Sequence, residues 1–156
     1  EKVRKQKNAV VISLNFVPEH IDVDYVFSCH TRRYRKIKAG SEIKKIITSN
    51  LRTTLSYDYM VNFSSFSGDC PDTVDNSGLM CMKLLIDLSV RKIYIAGLDG
   101  YDSSSSTNYV NSGMEFRFSP DATERRNNAI HAEIDKIRNK ISLEFVTSSR
   151  FAEKQQ

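Results

Sequence analysis

Four short stretches of this chain carry residue types able to bind or transform a ligand. They are Asn15, Cys29-His30, Asn76-Ser77-Gly78 and Gly97-Leu98-Asp99-Gly100-Tyr101. His30 is a candidate acid or base with a basic neighbourhood. A helix opening at Asn76-Ser77-Gly78 presents backbone N–H groups and a positive dipole end suited to phosphate, and Gly78 lets an anion approach closely. Asp99 is a carboxylate at the end of an apolar run, where it serves as a ligand or as a local turn anchor. Each residue has a structural alternative. Asn76 or Ser77 is also a good N-cap, Asn15 a good turn former, and Gly97 and Gly100 suit demanding backbone geometry. His131 reads as structural or exposed, and Cys81 as core filler. Together these residues indicate an anion or nucleotide site but no particular reaction. The common strong motifs, from the P-loop and the Rossmann glycine fingerprint to HExxH and GxSxG, are absent.

The elements that must position these residues follow from hydrophobic patterning. Ala9–Leu14 is a continuous β-branched run typical of a strand buried on both faces; Asn15 ends it, and Pro18 keeps a helix from starting. Asp24–Ser28, Lys45–Thr48 and Tyr59–Phe63 are further strands, with a basic helix or loop after Ser28. Residues 64–73 read as a loop. A helix then opens at residues 75–78, with Leu79, Met82, Leu85 and Ile86 on one face and Met80, Leu84 and Leu88 widening it. Lys92–Ala96 is the clearest strand. Residues 102–120 form a long polar loop, of a kind that is mobile or functional. Asp121, with Glu124 as partner, is expected to cap a last helix whose stripe is Ala129, Ile130, Ile134 and Ile137. Leu143–Val146 is the last strand. Alternating strands and helices predict an α/β sandwich around a mostly parallel sheet. Residues 1–151 are expected to form one domain, with 152–156 a frayed tail. In such a sheet, ligands bind beyond the carboxyl ends of the strands. That rule selects Asn15, Cys29-His30 and Asp99 to Tyr101.

Composition narrows the setting. The 156 residues carry a net charge of +4 and 40% hydrophobic residues, ordinary globular values. No apolar run approaches the roughly 20 residues needed to cross a bilayer, and the charged start, Glu1 to Lys5, does not resemble a secretory leader. Three cysteines without a CxxC pair fit neither a disulfide framework nor a usual zinc site, which points to a reducing cytoplasm. The basic residues cluster at Lys2 to Lys7 and at Arg32 to Lys45, either as a solvated surface or as an anion site. The lack of tryptophan and of an aromatic–glycine RNA motif counts against nucleic acid as a partner.

The run from Asn76-Ser77-Gly78 through Leu88 into Lys92-Ile93-Tyr94-Ile95-Ala96-Gly97-Leu98-Asp99-Gly100-Tyr101 resembles the core of the bacterial sialyltransferases of the campylobacter type. It also resembles the related archaeal pterin diphosphokinase-like domains. Val11 to Phe27 is similar to their second and third strands, so the likeness spans roughly residues 9–110. A closer likeness, carried by Val11-Ile12-Ser13-Leu14-Asn15-Phe16 and Ala96-Gly97-Leu98-Asp99-Gly100-Tyr101, is to the C-terminal domain of HMG-CoA-lyase-like aldolases of Bacteroides type.

The resemblance implies a Rossmann-like three-layer sandwich around a nucleotide. It would make Asn15 a nucleotide contact, bring Ser77 and Gly78 to the nucleotide through the helix start, and match Tyr101 and Tyr109 to the tyrosines that hold the phosphate and leaving group. His30 or Cys29 stands where the family has an asparagine. The family's catalytic histidine falls near Phe118-Ser119-Pro120, where there is none, so the general base is missing from its place. The family's first strand and phosphate loop would lie upstream of Glu1, as would an aldolase barrel with its divalent metal; no cofactor is evident in this domain itself. The expected ligand is therefore a phosphorylated or nucleotide small molecule, bound by a transferase-like domain of an aldolase. The alternatives are a non-catalytic accessory domain and a basic nucleic-acid-binding module.

Overall fold

The computed structural model describes residues 9–104 and 118–152. The chain divides into two compact units, Glu1–Ser67 with Asp75–Cys81, and Gly68–Val74 with Met82–Gln156.

The first unit is built on four parallel strands, β1 (Ile12–Leu14), β2 (Tyr25–Ser28), β3 (Lys44–Thr48) and β4 (Tyr59–Val61), lying side by side in sequence order. The register sets Leu14 beside Phe27, Phe27 beside Ile46, and Ile46 beside Tyr59. The two central strands carry the buried run that a parallel sheet covered on both faces requires: Val26, Phe27, Ser28, Ile46, Ile47 and Thr48 are all buried. β1 is shorter than its apolar run because only part of that run pairs. Before it, Asp24 takes over, its carboxylate accepting from the Val11 N–H at 2.7 Å while its own N–H donates to the Val11 carbonyl at 2.9 Å. The basic stretch after β2 folds into a single helical turn, α1 (Thr31–Tyr34). Val23, Val26 and Ile43 form one core cluster, and Tyr34, Ile47 and Leu51 another; Ile37 packs against both.

Two boundaries differ from the sequence expectation near β4. The strand stops at Val61, and residues expected as loop form a second helical turn, α2 (Phe63–Phe66). The cause is Asn62, whose side chain accepts from the Ser64 N–H at 2.9 Å and starts a helix where a strand would continue.

Helix α3 (Ser77–Asp87) has its first turn in the first unit and the rest in the second. Leu79 to Met82 and Leu84 are buried. Leu88 does not extend the buried face as expected: it lies past the helix and is exposed, because Ser89 takes a left-handed φ of 57° and turns the chain away.

The second unit pairs β5 (Lys92–Ile95) in parallel with β6 (Ser142–Phe145) and contains the long helix α4 (Pro120–Arg138). Buried positions Thr123, Asn127, Ile130, Ile134 and Ile137 recur every three or four residues along α4, the spacing of one helix face. Glu133, also buried, is neutralised by Lys83 at 2.9 Å and Lys136 at 3.2 Å. The expected cap, Asp121, is two residues too late. Ser119 caps α4, accepting from the Ala122 N–H, and Pro120 follows as a first helical residue that needs no N–H partner. Asp121 instead adds negative charge to the first turn, where the dipole favours it.

The chain is thus α/β with a Rossmann-like parallel sheet of four strands. No helix among the described residues is long and apolar enough to cross a membrane.

Candidate functional site at the carboxyl edge of the first unit

The carboxyl ends of β1, β2 and β3 and the start of α3 meet in one hydrogen-bonded network. Asn15 stands just past β1 with φ +67°, a left-handed conformation that asparagine tolerates better than most residues. Its N–H still donates to the Phe27 carbonyl at 2.9 Å, so the residue leaves the strand without leaving the sheet. Its buried carboxamide accepts from Ser28 Oγ at 2.9 Å and donates to Ser77 Oγ at 3.0 Å. Cys29 Sγ lies 3.0 Å from Ser77 Oγ, 3.2 Å from His30 Nδ1, and donates to the Asp75 carbonyl at 3.1 Å. The opposite ring nitrogen, His30 Nε2, is 3.1 Å from Asp75 Oδ2. β3 is tied in through Asn50, which donates to the Cys29 carbonyl at 3.2 Å and accepts from Thr48 Oγ1 at 2.5 Å.

This network has a dry end and a wet end. Cys29 and Ser77 are 2% and 6% exposed, whereas the side chains of His30 and Asp75 are 24% and 52% exposed. Burial alone would pull the His30 pKa down. The Asp75 carboxylate and the hydrogen bond to Cys29 together outweigh it and push the imidazole up to about 9. His30 is therefore a cation at neutral pH, with an N–H at each end: one directed to Asp75, the other to Cys29 and Ser77. Because Cys29 and Asp75 stand on opposite ring nitrogens, these groups do not converge on one point. Among the described residues no group of three or more His, Cys, Asp or Glu side chains could hold a metal ion.

Asn76 has a structural duty. Its side-chain oxygen accepts from the N–H groups of Gly78 at 3.0 Å and Leu79 at 3.1 Å, so it is the N-cap of α3. The open amides expected there for an incoming phosphate are thereby occupied. What α3 offers a ligand is its dipole, since the Ser77 hydroxyl is buried against Asn15 and Cys29.

No protein-family model, curated protein or solved structure matches the chain. The site is accordingly judged on its own geometry.

Of the residues singled out by sequence, Asn15, His30, Asn76, Ser77 and Gly78 come together in the first unit. Asp99 and Tyr101 belong to the second unit, and Tyr109 lies outside the described residues. Asp99 is exposed, and its carbonyl accepts from Arg150 Nε at 3.3 Å. Gly97 and Gly100 take φ values of +71° and +86°, the geometry that glycine makes easy. Tyr101 is clasped by Asn127, whose side chain accepts from the Tyr101 N–H and donates to its carbonyl, both at 2.9 Å. Its ring meets Phe118 edge-on at 5.2 Å. A cavity of about 360 Å3 opens beside it, lined by Asp102, Asp121, Glu124, Asn128 and Arg150.

Sequence reasoning missed Ser28, Asn50 and Asp75. Asn50 was within reach, since it follows β3 as Asn15 follows β1, and the strand-end rule applies equally to both. Asp75 carries no such signal, because only its pairing with His30 across 45 residues gives it a role.

Proposed function

We propose that the carboxyl edge of the first unit binds a phosphorylated small molecule, with nucleotides and nucleotide sugars as the class, in a transferase-like domain of a cytoplasmic protein. The observation that carries this reading is His30: a half-buried cation at the mouth of a polar network where three parallel strands end and a helix begins. Its charge and the α3 dipole both favour an anion. Asp75 has the role of holding the imidazolium at one ring nitrogen while Cys29 and Ser77 hold the other, so that the ring acts on the ligand through its charge. Asn15 and Ser77 position the ring from behind.

A second reading, binding without catalysis, is favoured by the burial of Cys29 and Ser77. Neither presents an exposed nucleophile, and the resemblance leaves its own general base out.

Thermal melting with CMP, CTP, GTP and sugar nucleotides at about millimolar concentration tests the binding. A ligand at about 100 times its Kd stabilises the fold by about 2.7 kcal/mol and raises the melting temperature accordingly. His30→Gln should remove that rise while leaving a folded protein. Absence of a shift with every compound, or a shift that His30→Gln leaves intact, defeats the reading.

A further inference from the structure

We propose that a second surface of the first unit, the face formed by its two adjacent strand connectors, binds single-stranded nucleic acid. One connector runs from β2 to β3 and includes α1; the other, residues 49–58, runs from β3 to β4. Parallel neighbours joined in sequence order require crossovers of one hand, which lays both connectors on the same face of the sheet. The contacts agree. Tyr34 from the first connector and Leu51 from the second pack together with Ile47 of β3, and Tyr34 Oη donates to the Ser56 carbonyl at 2.5 Å.

Charge is concentrated in this stretch of the chain. Residues 31–60 contain eight Lys or Arg and only two acids, Glu42 and Asp58, although the whole chain is only +4; everything outside this stretch is net negative. Asp58 is engaged by Lys44 Nζ at 3.1 Å and the Lys45 N–H at 2.8 Å, so its charge is matched by Lys44 and not by the arginines of the connectors. Arg32 and Arg35 are exposed on the first connector and Arg52 on the second. Tyr57, five residues after Arg52 on the second connector, is 44% exposed.

Exposed arginines on the same connectors as an exposed ring suit a flexible polyanion with bases. The guanidinium fork takes phosphate oxygens, and phenol faces stack on unpaired bases without sequence preference. A duplex is a poorer fit, because α1 is a four-residue turn and not a helix that fills a groove. A membrane surface is also a poorer fit, since it calls for an amphipathic helix with a broad apolar face. Both connectors start at the His30 network, through the His30 carbonyl and Asn50, but the surface draws on arginine and tyrosine side chains and not on the imidazole.

The test is fluorescence anisotropy of a labelled uridine oligomer of about 12 nucleotides with the full 156-residue chain. Saturable binding is expected, weakening by about 20- to 50-fold between about 50 and about 200 mM salt if three or four phosphates are contacted. Arg32→Glu combined with Arg52→Glu should weaken it by about tenfold or more and flatten the salt dependence. Tyr57→Ala should weaken it by about fivefold with the salt dependence unchanged. His30→Gln should leave it untouched, which separates this surface from the nucleotide site. The melting temperature of each variant guards against unfolding, and the milder pair Arg32→Gln and Arg52→Gln replaces the charge reversals if they destabilise. No saturable binding at low salt, binding indifferent to both sets of substitutions, or capture of phosphatidylserine vesicles in place of the oligomer each overturns the proposal.

Discussion

Two buried asparagines, one in each unit, show how the same side chain serves two purposes. Asn127 sits in the regular turn of α4 and gives both ends of its carboxamide to one residue's backbone, the N–H and carbonyl of Tyr101. That arrangement is closed: backbone groups do not titrate, and nothing leads onward from them. Asn15 sits in a left-handed conformation and gives its carboxamide to two hydroxyls, Ser28 and Ser77. From Ser77 the chain of contacts continues through Cys29 to a charged histidine and a half-exposed carboxylate. A buried amide that ends on backbone fastens a fold. One that ends on side chains able to move protons builds a site.

Substitutions can break this contrast. Asn15→Ala should have the largest effect, about 3 kcal/mol in urea denaturation, because it removes two buried hydrogen bonds and leaves a Cβ-bearing residue without side-chain support at φ +67°. Asn15→Gly should be less severe by about 1 kcal/mol, since glycine accepts that conformation freely. Both should also abolish nucleotide-dependent stabilisation; a variant that melts early but still responds to ligand would make Asn15 as purely structural as Asn127. Asn127→Ala should cost about 2 kcal/mol, as the half-buried backbone of Tyr101 regains part of its hydrogen bonding from water. Its ligand response per folded molecule should be unchanged, and a lost response would erase the distinction between the two asparagines.

The smallest effect sharpens the comparison by pH. His30 titrates at about 9 in the folded chain against an ordinary value of 6.5. A raised pKa stabilises the fold below the unfolded value, and that contribution disappears as pH rises through the folded one. After allowance for solvent at the half-exposed Asp75, unfolding free energy should fall by about 1 kcal/mol between about pH 6.5 and about pH 9.5. Asp75→Asn should flatten most of that slope, whereas Asn127→Ala should leave it in place. An unaltered slope in Asp75→Asn would remove the carboxylate from the account of the His30 charge.

Much of this was legible in residue patterns, for reasons the structure makes plain. β2 and β3 announce themselves because strands inside a parallel sheet must be apolar almost throughout. Asn15, His30 and Ser77 could be named because the edge rule points to whatever follows a strand or opens a helix. Capping was less legible. Both Ser119 and Asp121 are competent N-caps, and the choice between them rests on Pro120, which fits the first helical position. The pairing of His30 with Asp75 and the meeting of Asn15 with Ser77 were not legible, because nothing local links residues 45 and 62 positions apart. The cationic connector was visible as composition. Its apposition to Tyr57 and Arg52 depends on Tyr34 reaching Ser56, a contact across 22 residues.

The order of strands in the first unit also has a kinetic consequence. Each strand pairs with its sequence neighbour: Ile12 with Tyr25, Tyr25 with Lys44, Ile46 with Tyr59. These are short loops to close, so the sheet can zip up progressively from one end. The contact from Asn15 to Ser77 spans 62 residues and joins the first strand to a helix made after the last. Loop-closure entropy makes it the final stitch in assembly and the first to open under stress. Local fraying at the start of α3 would then dismantle the His30 network while the four strands remain paired.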